Sequence, residues 1–140
     1  MVRHSFEQMG GVLHLLPGYA GRLGVCLDTA HLWGAGHDIS SAASVQQVLQ
    51  LFDEAAGLER LKVIHLNDTA VALGSHRDVH ARIGEGIIPV DGLQAFLNDP
   101  RLLHAAVVLE TPIKTGDDGK EDWEHDKQHL QRVKRLMDIQ

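Results

Sequence analysis

Three short runs of apolar, largely β-branched residues punctuate the chain, Leu23 to Leu27, Leu61 to Leu66 and Ala105 to Leu109. Each runs on with little alternation, the pattern of a strand buried on both faces of a parallel sheet. Between them the apolar spacing lengthens to the helical period. Phe6, Met9, Leu13 and Leu16 predict a helix over 6–16, weakened by Gly10 and Gly11. Val45, Val48, Leu49, Leu51 and Phe52 predict one over 41–56, with Ser40 or Ser41 as its N-cap. A shorter helix over 90–97 follows Pro89 and stops at Asn98-Asp99-Pro100, and a last one spans 124–137. Helices alternating with strands make an α/β protein whose parallel strands are joined by crossovers. The charged stretch 114–122, with two glycines, reads as a surface loop.

Composition changes this picture in three places. No apolar run reaches the roughly 18 residues of a membrane span, and the N-terminus lacks a signal peptide's pattern, which predicts a cytoplasmic protein. The single cysteine, Cys26, lies in an apolar run, which predicts a buried, inert thiol and no intrachain disulfide. The net charge of -6 argues against nucleic-acid partners. Bound divalent metal would reverse that sign locally.

The residues at the end of each strand carry the chemistry. The first run ends in Asp28-Thr29-Ala30-His31, the second in His65-Leu66-Asn67-Asp68, and the third in Glu110-Thr111-Pro112. Parallel strands that deliver ionisable side chains at their C-terminal ends do so on the face where (β/α) barrels build active sites. A single acid there is as often a helix cap or an arginine partner as a ligand. Three together call for a shared ion or a hydrogen-bonded network, because an unpaired buried charge costs several kcal/mol. Carboxylate and imidazole suit zinc, manganese or iron(II). Asp78-x-His80, in the loop Gly74-Ser75-His76-Arg77-Asp78-Val79-His80, puts two more ligand types on one side of an extended segment. Ile83-Gly84-Glu85-Gly86 then suits a tight backbone path. His37 and His76 lie near these segments and read as surface or outer-sphere groups. Glu85 reads as solvated, and His4, His14, His104, His125 and His129 as ordinary histidines of polar or helical stretches.

These motifs, with Gly36-His37-Asp38-Ile39 after the first, resemble in order and spacing the endonuclease IV family of abasic-site endonucleases, over essentially the whole chain from about Phe6. The resemblance implies a xylose-isomerase-like (β/α)8 TIM barrel. This chain would supply its C-terminal half, a single partial barrel domain over 1–140 with three or four parallel strands. It also implies zinc, with Asp28, His65 and Glu110 as ligands of one ion and His31, Asp78 and His80 as those of another. Two histidines and a bridging glutamate of the family pattern have no counterpart here. The implied reaction is hydrolysis of the DNA phosphodiester 5′ to an abasic site in double-stranded DNA, with Glu110 beside the attacking water. The sequence departs from the family pattern at Ala30, where cysteine is common, and at Val79, where a basic residue is common. Two other readings stand beside this one. One is a divalent-metal sugar isomerase or epimerase of the same superfamily, which needs no His31, Asp78 and His80 set. The other is a truncated, non-catalytic metal-binding chain. Open sheet edges would favour a homodimer or aggregation.

Overall fold

The three apolar runs become parallel strands β1 (Val25–Asp28), β2 (Leu61–His65) and β3 (Ala106–Val108), hydrogen-bonded in the order β1-β2-β3. The computed structural model describes residues 2–19 and 21–137, and the His4 side chain lies outside what it describes. Among the described residues the helices are α1 (Val2–Leu15), α2 (Thr29–Gly34), α3 (Ala42–Ala56), α4 (Val90–Leu97) and α5 (Trp123–Met137). The result is an open three-stranded piece of a barrel with helices packed on one side of the sheet.

Register decides which way the strand ends point. Asp28 sits opposite His65, and His65 opposite Val108, so these share one face; Cys26, Val63 and Ala106 form the layer below. The other face, carrying Leu27 and Ile64, packs into a core with Val45, Leu49 and Phe52 of α3 and Leu93 and Phe96 of α4, all almost fully buried. Burial on both faces, expected from the uninterrupted runs, therefore does not hold. Cys26, Ala106 and Val108 are exposed, because among the described residues no opposite wall covers the face that turns toward a barrel axis. The Cys26 thiol is correspondingly exposed and not buried.

Local chemistry explains the helix limits. Ser41, not Ser40, caps α3, accepting from the Ser44 amide in a reciprocal capping box. The glycines do not break α1, because Gly10 lies against α3 so closely that a Cβ there would meet the Ala55 carbonyl oxygen at 1.8 Å. Helix α2 has no counterpart among the predicted elements. It is six residues long and starts immediately after β1, and the Asp28 carboxylate caps it by accepting the His31 N–H at 3.1 Å. The stretch 114–122 turns back on itself through a bridge between Thr115 and Glu121. No helix among the described residues is long and apolar enough to cross a membrane.

His37 departs from its expected surface position. It is 2% exposed, stacks on Phe6 of α1 with ring centroids 4.4 Å apart, and neither of its ring nitrogens has a hydrogen-bond partner. Burial pushes its pKa from 6.5 down to about 4. As pH falls, the unfolded chain is protonated first. The stabilisation is thus complete above pH 6.5 and is lost progressively toward pH 4. His37→Phe, which keeps a stacked ring without a titrating group, is expected to flatten this decline in urea unfolding measured from about pH 7 to about pH 5. An unchanged pH slope in the variant would contradict the assignment.

Candidate metal centre

The exposed face of the sheet ends in a cluster of acids and imidazoles. Asp28 closes β1 and His65 closes β2, and Glu110 follows β3 by two residues, so all three lie at the strands' C-terminal edge. His65 Nδ1 is 2.7 Å from Glu110 Oε2 and 4.0 Å from Asp28 Oδ2. These three residues present ligand atoms within 4.8 Å of one another.

A second set meets the first at Asp28. His31 projects from α2, and the loop after β2 brings Asp78 and His80 up to it. His31 Nε2 lies 2.8 Å from Asp78 Oδ1, and His80 Nε2 lies 3.2 Å from the same oxygen and 3.4 Å from Asp28 Oδ2. The hydrogen bond from His31 is the main influence that holds the Asp78 carboxyl below the usual carboxylate range. Asp28, His31 and His80 again form a group within 4.8 Å. All six residues proposed as ligands from the sequence are thus gathered at one edge of the sheet.

The donor geometry tests whether a cation fits here. His80 Nδ1 faces the Glu110 carbonyl oxygen at 3.3 Å, which accepts that ring N–H. In the neutral ring the opposite nitrogen, Nε2, carries the lone pair; it is buried without a hydrogen-bond partner and faces two carboxylate oxygens. Acceptors facing acceptors repel unless a cation lies between them, either a proton on the ring or a metal ion. Their separations of 3.2 and 3.4 Å are close to the edge of a tetrahedron around an ion with bonds of about 2.0 Å, roughly 3.3 Å. The backbone carbonyl that orients the ring is the usual outer support of a metal-binding histidine. The residues therefore fit a divalent ion.

Two residues not singled out by the sequence hold this cluster in place. Asn67 is fully buried; its amide donates to Asp28 Oδ2 at 3.0 Å, and its carbonyl oxygen accepts the Glu110 N–H at 3.1 Å. It thereby ties the outer two strand ends through the middle one. The Thr29 hydroxyl donates to the Asn67 main-chain carbonyl at 2.6 Å and accepts the Asn67 main-chain N–H at 2.8 Å. Asp68, also fully buried, turns its carboxylate into the loop that carries Asp78 and His80. The available signal was two polar residues directly after an apolar strand.

The other candidates fall elsewhere. His37 belongs to the core, whereas His76 is exposed in the left-handed region with φ 56°. His76 lines a small cleft with Arg77, Asp78 and His31. His104 Nε2 lies 2.8 Å from the Leu61 carbonyl oxygen, His14 is exposed, and His125 Nε2 lies 3.9 Å from Glu85. His129 is buried, and its Nε2 accepts the Ile83 N–H at 3.0 Å. Position at the strand ends and the loops beyond them thus separates the six-residue set from the other histidines.

Comparisons with known proteins bear on the whole arrangement. A family model described as xylose isomerase-like TIM barrel matches residues 2–133. A protein of Moorella thermoacetica named probable endonuclease 4 is 49% identical over 96 residues, 69% of this chain and 34% of that protein. One of the same name from Natranaerobius thermophilus is 46% identical over 115 residues, 82% of this chain and 38% of its own. The crystal structure of endonuclease IV from Thermus thermophilus superposes with a TM-score of 0.76 at 35% identity, covering 96% of this chain and 44% of that one. The chain spans about a third to two fifths of the length of the curated relatives it matches.

The Asn67 bridge yields a direct expectation. Asn67→Leu leaves the Asp28 carboxylate and the Glu110 N–H without their buried partner, at about 1–3 kcal/mol of folding stability. It also frees the strand-end ligands to move, which should weaken divalent-metal binding about 10- to 100-fold. Thermal unfolding and chelator competition measure the two effects separately; wild-type metal affinity in the folded variant would refute the bridging role.

Proposed function

The chain belongs to the AP endonuclease 2 family of xylose isomerase-like TIM barrels, and we propose that it carries the metal-binding face of a nuclease that hydrolyses DNA at abasic sites. The observation that carries this reading is the second ligand set, His31, Asp78 and His80, beside the strand-end set of Asp28, His65 and Glu110. A sugar isomerase working with one divalent ion has no use for it. Zinc suits the mixed carboxylate and imidazole donors.

When bound, the ions would supply Lewis-acid neutralisation of phosphate charge and make water a better nucleophile near neutral pH. The chain's own groups set the rest. In hydrolysis 5′ to the lesion, the oxygen of water bonds to phosphorus and the bond from phosphorus to O3′ breaks. One proton leaves the water, and one reaches the departing O3′. Glu110 is the acceptor of choice for the first proton: its side chain is 44% exposed at the cluster, and His65 Nδ1 holds one carboxylate oxygen at 2.7 Å. Asp28, buried at the junction of the two sets and fixed by both the His31 and the Asn67 amides, orients without moving.

Electrostatics makes the metal a precondition for the substrate. Among the described residues the ion-pair partners of Asp28, Asp78 and Glu110 are histidines, and no lysine or arginine pairs with them, so the cluster sets three carboxylates together in a protein of net charge -6. A DNA phosphate approaches such a surface only after divalent cations reverse its sign.

The test is incubation of the protein and added zinc with a duplex carrying one abasic-site analogue, over a range of protein concentrations. Cleavage 5′ to the lesion leaving a 3′-hydroxyl is expected, falling by about 10²-fold or more in Glu110→Gln. Binding of the same duplex is expected to vanish after chelation and return with zinc. Zinc-loaded protein that neither binds nor cuts the lesion would refute the proposal. Binding without cutting would support the non-catalytic reading instead. A rate that rises with the square of protein concentration would assign the activity to a homodimer paired through the open strand edges.

A further inference from the structure

We infer that Asp68 is a positioning residue for one half of the proposed metal centre: its carboxylate ties the loop that places Asp78 and His80 beside His31. The inference rests on the metal reading of the cluster. The carboxylate is completely buried and accepts four backbone N–H groups. Thr69 and Ile88 donate to Oδ1 at 2.7 and 3.0 Å, and Gly84 and Gly86 donate to Oδ2 at 3.1 and 3.0 Å. Three of these donors come from 16 to 20 residues further along the chain. The main chain adds an antiparallel bridge in which Asp68 N–H donates to the Ala81 carbonyl at 3.1 Å and Ala81 N–H donates back at 2.8 Å. Ala81 immediately follows His80, so the position of that ligand is set by Asp68 from one residue away.

The space around the knot is built for it. A Cβ on Gly86 would lie 2.3 Å from Asp68 Oδ1 and 2.4 Å from the Thr69 carbonyl oxygen. Only glycine allows the backbone this close. The Asp68 carboxylate holds backbone groups, so its influence on the ligands passes through the main chain of the loop. The strand-end set is held differently, by the sheet itself and by Asn67. The two halves of the centre therefore have separate supports, one at Asn67 and one at Asp68, adjacent in sequence.

Separate supports predict separable loss. Asp68→Asn replaces an acceptor oxygen with an NH2 group facing N–H donors. The protein should then keep the strand-end ion and bind the loop-set ion about 10- to 100-fold more weakly. Zinc per chain after dialysis against a buffered free-zinc level would fall from two to one. Cobalt substitution followed by visible absorption reads which set remains, and circular dichroism reports the fold. Gly86→Ala keeps the carboxylate but crowds it, because the added Cβ meets Asp68 Oδ1 and the Thr69 carbonyl oxygen, and it serves where Asp68→Asn does not fold; the same selective loss is expected. Two ions at wild-type affinity in either folded variant would overturn the inference, as would equal weakening of both ions. Wild-type protein that binds no zinc would instead refute the metal reading itself.

Discussion

Two neighbouring polar side chains at the end of the middle strand, Asn67 and Asp68, hold together the edge on which the candidate site is built. Both are fully buried, and between them they receive or donate hydrogen bonds to β1, to the segment after β3 and to the long loop between β2 and α4. Buried polar groups of this kind are tolerable only when satisfied, since each group left without a partner costs about 1–3 kcal/mol. Here the satisfaction is mutual: the strand ends and the loop supply the hydrogen bonds that Asn67 and Asp68 need, and in return take fixed positions. Directional bonding thereby converts an apolar scaffold, which sets positions only loosely, into an edge where six side chains converge.

That convergence is electrostatically costly by itself. Asp28, Asp78 and Glu110 stand among three imidazoles, and His80 Nε2 is buried facing two of the carboxylates. A cation shared among these groups, a proton or a metal ion, offsets that cost. The same charge balance separates this cluster from a generic DNA-binding surface. A basic face attracts DNA at all times, whereas under the proposed function this one would do so only when loaded with metal.

Much of this is legible in the sequence because strand ends are places where an apolar run stops and a reactive side chain begins. Asp28, His65 and Glu110 announce themselves by that transition, and the α3 and α4 helices by their period. The hidden features depend on contacts between distant segments. The only local signal for Asp68 is its place just after an apolar strand, since its partners at Gly84, Gly86 and Ile88 lie far along the chain. His37 has the sequence context of a surface histidine because the Phe6 ring that covers it belongs to α1, about thirty residues earlier in the chain. Uninterrupted apolar runs promise strands buried on both faces, but Cys26 and Val108 are exposed, because covering that face requires further strands across the barrel. The short α2 helix has no period to read, only its Asp28 cap.

If the strand-end and loop sets are two adjoining metal sites that share a buried acid at Asp28, both ions should be visible by anomalous diffraction at the zinc absorption edge from crystals of the zinc-loaded protein. Two peaks are expected at the C-terminal edge of the sheet, one ringed by Asp28, His65 and Glu110 and the other by His31, Asp78 and His80. Peaks confined to other histidines such as His14 or His104, with the cluster empty, would contradict the two-site arrangement.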